Sequence, residues 1–196
     1  MLNYILRSAD NKLNIGMNRK HNWFSTILVL TFWGGYLVPV IFKDGFLKHG
    51  GTLRKLFVMC MSYFTISVLY GLIFGLLTAL IMRFALSLFE IKVKYLELLK
   101  LMRTSYEPFV LILITYTVQI AIANYYESTF IQENLAATGI MIIVFSFVSS
   151  GVVIWASIIF YRGMNRLTGL NFFQNFLIHI GSGMVLAPIN IYIMYT

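Results

Sequence analysis

Polar side chains set deep inside apolar runs need a reason for their position, because a polar group is costly in hydrocarbon. Three stand out here. Gln119 lies about 16 Å into the apolar run 108–125 at 1.5 Å per residue, near its middle. Ser149, with Ser150 beside it, reaches a similar depth in the run 136–161 from the opposite end. His179 falls about 10 Å inside the run 171–195, level with Trp155 and Ser157. Gln119 with Ser149, and His179 with Ser157, are placed to hydrogen-bond between helices. Such bonds either glue helices together, at about 0.6 kcal/mol each, or mark a path or pocket.

Catalytic chemistry asks for more. A nucleophile needs a base, and the base needs a group to orient it. Cys60 and His49 supply the first two on one side of the membrane, with nothing evident for the third. Gly181-Ser182-Gly183 carries a serine between glycines but lacks the full nucleophile elbow and a base. His-Glu-x-x-His, paired intramembrane carboxylates and a phosphate-binding glycine loop do not occur in the sequence. The single cysteine excludes an intramolecular disulfide and a Cys-x-x-Cys site. The expectation is a protein that is not an enzyme and holds no metal or cofactor.

The elements that carry these residues follow from composition. Of 196 residues, 59% are hydrophobic and only 11% charged, and the mean hydropathy is +0.81. A water-soluble domain carries about 25% charged residues, so a soluble fold is excluded. Cutting the chain at its charges leaves five runs long enough to cross a bilayer as helices: 23–42, 56–82, 108–125, 136–161 and 171–195. Barrel strands would be about half that length and would alternate in polarity. The predicted fold is all-α, a polytopic membrane bundle of five transmembrane helices. Residues 1–22 form a cytoplasmic basic arm, and 23–195 a single transmembrane domain. The first run is expected to stay as a signal anchor, since no small-residue cleavage site follows it.

Charge placement sets the expected orientation. Fifteen Lys and Arg against seven Asp and Glu give +8, but the bases sit in short connectors, which argues for membrane topology and against nucleic acid as a partner. Arg7, Lys12, Arg19 and Lys20 precede the first run. Arg83, Lys92, Lys94, Lys100 and Arg103 follow the second, and Arg162 and Arg166 the fourth. The opposite side holds only Lys43, Lys48, Arg54 and Lys55. By the positive-inside rule the N-terminus lies in the cytoplasm and the C-terminus outside. No Asp, Glu, Lys or Arg falls in the middle of a run, whereas ion-coupled secondary transporters carry such groups.

Two further patterns concern packing. Between the second and third runs, Ile91, Tyr95, Leu98, Leu99 and Met102 recur on one helical face, backed by Lys92, Glu97, Lys100 and Arg103. This predicts an amphipathic interfacial helix whose Lys92, Lys100 and Arg103 contact anionic headgroups. A cytoplasmic extension of the second helix, packed on its neighbours, fits the same stripe. Within the second run, Gly71, Gly75 and Ala79 form a small-residue ridge suited to close helix packing, inside the chain or across a homodimer seam.

The second half also carries short motifs: Tyr106-Glu107-Pro108 opening the third run, Trp155 in the fourth, then Tyr161-Arg162-Gly163-Met164 and Leu167-Thr168-Gly169-Leu170-Asn171 leading into the fifth. Over roughly residues 80–195 this resembles the Yip1-type five-span membrane proteins, particularly their bacterial branch. The resemblance implies an organisational role: eukaryotic members are linked to vesicle traffic and small GTPases, and some bacterial ones to ABC-type exporters in envelope stress or toxin resistance. The leading expectation is a scaffold or accessory subunit with a membrane-protein partner. A small permease or lipid-handling protein, using Gln119, Ser149 and His179, is the second, and a toxin-immunity membrane protein the third.

Overall fold

The computed structural model describes residues 2–41, 53–125 and 135–195, with side chains over 4–36, 57–58, 60–118, 139–140, 143–186 and 188. Among the described residues the chain is all-helical, with no strand. Among these residues seven α-helices follow one another: α1 (Leu2–Asn18), α2 (Trp23–Ile41), α3 (Leu53–Leu88), α4 (Tyr95–Tyr106), α5 (Val110–Tyr125), α6 (Leu135–Thr168) and α7 (Phe172–Tyr195). A 3₁₀ turn, Glu107–Phe109, joins α4 to α5, with Pro108 near its start, where a missing N–H costs nothing.

Local chemistry fixes where the helices begin and end. Asn22 opens α2, its Oδ1 accepting the Phe24 N–H at 3.0 Å. The last turn of α3 closes in a Schellman motif: the Ile91 N–H donates to the Leu86 carbonyl and the Glu90 N–H to that of Ser87, with Glu90 at φ 60°. The Glu97 carboxylate accepts the Lys94 N–H at the head of α4. Gly169, at φ 70°, ends α6, its N–H donating to the Asn165 carbonyl. Asn171 and Gln174 then cap α7 reciprocally at 2.9 and 3.0 Å.

Among the described residues, two stretches are long and apolar enough to cross a membrane, Cys60–Leu88 in α3 and Ile143–Thr168 in α6. Both helices outrun the charge-cut boundaries. Continuous with residues 56–82, α3 passes through Arg83 to Leu88, and α6 continues beyond Tyr161 through Arg162 and Arg166. A long basic side chain can stay helical while its head reaches polar surroundings, so a charge need not end a helix.

The most extensive helix pair is α2 with α3. Their backbones meet at Gly34 and Gly71. A Cβ on Gly71 would stand 1.9 Å from the Leu30 carbonyl oxygen, and one on Gly34 2.0 Å from that of Ser67. The Tyr63 hydroxyl donates to the Gly35 carbonyl at 2.6 Å across the same seam. At one end of the molecule α1 and α4 lie against each other and against the end of α6. We call this the charged end.

Here α4 takes one feature from each sequence-based expectation, a separate helix from the first and packing on its neighbours from the second. It is a helix in its own right, separated from α3 by the turn at Glu90 rather than extending it. Its stripe of Leu98, Leu99 and Met102 is buried inside the protein, together with Leu101. Packing on α1, α2, α3 and α6 covers the face that the pattern alone assigned to lipid. The basic arm is likewise ordered: α1 buries Ala9 and Leu13 against this layer.

Candidate functional site

The polar residue at depth with the most developed surroundings is His179. Its Nδ1 is 2.9 Å from the Tyr161 hydroxyl, and its ring lies 4.8 Å from that of Phe160. Tyr161 and His179 belong to α6 and α7, brought into register by the short turn at Gly169. That turn is itself tied down. Asn175, fully buried, donates to Asn165 Oδ1 at 2.7 Å and to the Leu170 and Asn171 carbonyls, while the Thr168 hydroxyl donates to Asn175 Oδ1. Thr168 belongs to the motif Leu167–Asn171, whereas Asn165 and Asn175 were not singled out by sequence reasoning. Their one signal was the concentration of Asn, Thr and Gly between two apolar runs.

Behind the pair is a chamber of about 150 Å³, whose wall includes Trp33, Tyr36, Tyr106, Phe109 and Phe160, with Ser157 and His179. Trp33 and Tyr106 stack at 5.3 Å between centroids, and Tyr106 continues the stack to Phe160 at 6.2 Å. Four helices and the 3₁₀ turn contribute to this wall, so the chamber exists only when α2, α4, α6 and α7 are assembled.

The other predicted residues fall elsewhere. Ser157 lines the chamber, but the hydrogen-bond partner of His179 is Tyr161, one helical turn further along α6. Ser149 is half-buried, outside the chamber wall, and its Oγ has no partner among the described residues. The side chain of Gln119 lies outside the described residues, so its pairing with Ser149 is not placed. Gly71 and Gly75 face α2, Gly75 against the Leu30 side chain, and Ala79 is fully buried. Cys60 is free and half-buried, and His49 lies outside the described residues. The Ser182 hydroxyl is turned back to the Ile178 carbonyl at 2.7 Å. Among the described residues no three His, Cys, Asp or Glu side chains gather as metal ligands would.

Of the three bases assigned to headgroups, Lys92 stands exposed. Arg103 is buried at 4% exposure and donates to the Gly16 carbonyl at 3.3 Å; Lys100 reaches the Met17 carbonyl at 3.5 Å. Both cations thus cap the last turn of α1, where free carbonyls and the helix dipole favour positive charge. The same two charges, together with burial, push the His21 imidazole below its usual range, burial being the larger cause.

The charged end holds a second cluster that sequence reasoning missed. Asp10 of α1 accepts two hydrogen bonds from Arg162, with Nε at 2.8 Å, and one from Arg166 at 2.6 Å; Arg166 also donates to Asn14 at 2.7 Å. Lys12 pairs with Glu107 at 3.2 Å. The Arg162 hydrogen bonds hold the Asp10 carboxyl below the usual carboxylate range, against the opposing effect of burial. A bidentate Arg–carboxylate pair orients as well as attracts, so α1 is fixed in angle across the end of α6.

Compared with known proteins, the chain matches no family model, no curated protein and no solved structure.

Proposed function

We propose that this chain is a multi-pass integral protein of the cytoplasmic membrane. In this reading it makes five crossings as a helical bundle, N-terminus inside and C-terminus outside, and works as a non-enzymatic scaffold or accessory subunit of a membrane machine. The observation that carries the reading is where apolar surface is left uncovered. Phe84 of α3, Phe147 of α6 and Met184 of α7 are 66%, 76% and 68% exposed, and among the described residues they belong to exposed apolar series from Phe57 to Leu88, from Ile140 to Ile154 and from Phe172 to Val185. Water tolerates only small patches of that kind, whereas acyl chains cover them at no cost. The ion pairs among the described residues, by contrast, gather at the charged end, which the positive-inside rule assigns to the cytosol.

Support for a scaffold comes from that end. Ion pairs lock α1 onto α6 and onto the 3₁₀ turn at Glu107, yet Tyr4 and Ile15 remain 79% and 58% exposed on it. An ordered helix presenting apolar groups beside charges is suited to a protein partner. The Yip1-type resemblance adds the class of partner, an ABC-type exporter or an envelope-stress or toxin-resistance system. In a Cys60→Ser background, Asn11→Cys should react with an impermeant thiol reagent only from the cytosol, and Ser128→Cys only from outside. The reverse pattern, or both on one side, overturns the topology. Gentle detergent extraction at native expression should recover a specific membrane partner, and recovery of the protein alone overturns the accessory role.

A small permease or lipid-handling unit is the second reading, favoured by the chamber beside His179. Lipid scrambling or solute flux by the purified protein in liposomes, lost in His179→Ala and Gln119→Ala, is what it requires.

A further inference from the structure

Tyr161 and His179 stand in a wall shared by two cavities. On the inner side is the aromatic chamber of about 150 Å³. On the outer side a groove of about 430 Å³ passes Ile180, Gly183 and Met184, all of them exposed. With the membrane placement proposed above, on which this inference rests, the groove opens onto acyl chains, and a molecule reaches it by diffusing within the bilayer.

Size and charge narrow the occupant. A chamber of this volume with an apolar wall accommodates one benzene-sized ring. No Asp, Glu, Lys or Arg lines either cavity, so an ion brought there would lose its hydration without a counter-charge, at a cost of several kcal/mol. A purely apolar ring would leave the polar groups of the wall unused. Those groups include the Ser157, Tyr36 and Tyr106 hydroxyls, the Trp33 indole N–H and the Tyr161–His179 pair, whose two members can exchange donor and acceptor roles. The remaining surface is ring: Trp33, Tyr106 and Phe160 form one stacked column, and a flat guest can continue it.

We propose that this chamber binds the neutral, oxygen-bearing six-membered ring of a bilayer-dissolved amphiphile, a phenol or a quinone. The ring lies against the Trp33–Tyr106–Phe160 column, and its oxygen bonds the Tyr161–His179 pair from the inner side.

Trp33 is the natural reporter. In the full chain carrying Trp23→Phe and Trp155→Phe, reconstituted in lipid nanodiscs, Trp33 fluorescence is titrated with para-bromophenol in one arm and duroquinone in the other. The expected result is quenching that saturates for one of the two probes, which identifies the class. Tyr161→Phe, which deletes the hydroxyl and keeps the ring, should weaken that binding about tenfold, the equivalent of one lost hydrogen bond. Ala156→Phe, which fills the chamber, should abolish saturation; if that variant does not fold, Tyr161→Phe decides alone. Quenching linear in probe for both arms, or saturation unchanged by Tyr161→Phe, overturns the proposal. Co-flotation of the protein with lipid vesicles is scored separately. A protein that floats yet fails to bind refutes the chamber, and one that does not float refutes the membrane placement itself.

Discussion

At the charged end, α1 is fastened to α6 by hydrogen bonds between groups 152 residues apart, Asp10 and Arg162. In the apolar part, α2 and α3 meet backbone to backbone at Gly34 and Gly71. One region is held by directional, charge-assisted bonds that water can replace in part; the other by contact that tolerates no added atom. A substitution at the first should loosen one helix, and a substitution at the second should disturb the bundle. Four outcomes would break or sharpen that contrast.

The largest effect is expected at Gly71. A Cβ there collides with the Leu30 carbonyl, which is backbone and cannot swing aside, so Gly71→Leu forces α2 and α3 apart. The expected cost is about 3 kcal/mol or more, the upper range for overpacking, read as loss of the monodisperse peak in detergent chromatography. Gly151→Leu, where a Cβ meets open space, should leave the peak intact. Equal behaviour of the two would show that the helices do not cross as described.

Asp10→Asn comes next. Its partners are partly exposed, with Arg162 and Arg166 side chains 36% and 45% accessible, so solvent screens the interaction and about 1 kcal/mol is expected. The change should appear as faster proteolysis within α1 rather than as collapse of the bundle. The pH dependence has a definite sign. The folded carboxyl titrates below its ordinary value of about 4. Its contribution is therefore present above that value and lost as pH falls through the lower, folded one. Protease resistance of α1 in the parent should decline on acidification below about pH 4, and Asp10→Asn should flatten that decline. An unchanged acid profile would mean that the Asp10–Arg162 bonds do not stabilise the clasp.

Gly169→Ala tests the joint between the two regions. The site has open space around it but a φ of 70°, so the cost is conformational, about 1 kcal/mol. It should be visible as a lower midpoint in thermal unfolding, with the chamber still able to form.

How much of this was legible beforehand divides along the same line. The runs 56–82 and 136–161 read from the sequence overlap the apolar stretches Cys60–Leu88 and Ile143–Thr168, because hydropathy is a local, additive property. The motif at Leu167–Asn171 also announced its turn, since Gly169 and the Asn residues encode it directly. By contrast, the periodicity of α4 shows that one face is apolar but not whether lipid or protein covers it. Its buried Arg103 could be recognised only once α1 offered the Gly16 carbonyl. Asp10 could not be paired with Arg162 from spacing, because nothing local links them. Likewise His179 was matched by level to Ser157, while the structure joins it to Tyr161 one turn away. Ser157 and Tyr161 share one face of α6, so the axial register of the two helices and the reach of each side chain, which no composition reveals, decide that choice.

The smallest predicted effect separates two polar residues of α6, Tyr161 and Ser149. Tyr161→Phe removes a hydroxyl 2.9 Å from His179 Nδ1 and should cost about 0.6 kcal/mol, the typical worth of one such bond between membrane helices. Ser149→Ala removes an Oγ that has no partner among the described residues. Its expected effect lies within about 0.5 kcal/mol of zero or is slightly stabilising, since a desolvated hydroxyl without a bond favours the unfolded chain. Thermal unfolding of both variants in one lipid environment checks the pair. A loss at Ser149 as large as that at Tyr161 would mean that Ser149 does engage a partner, with Gln119 the first to test by a double-mutant cycle. The polar groups of α5 and α6 would then form a second seam, and the apolar region would no longer be held by contact alone.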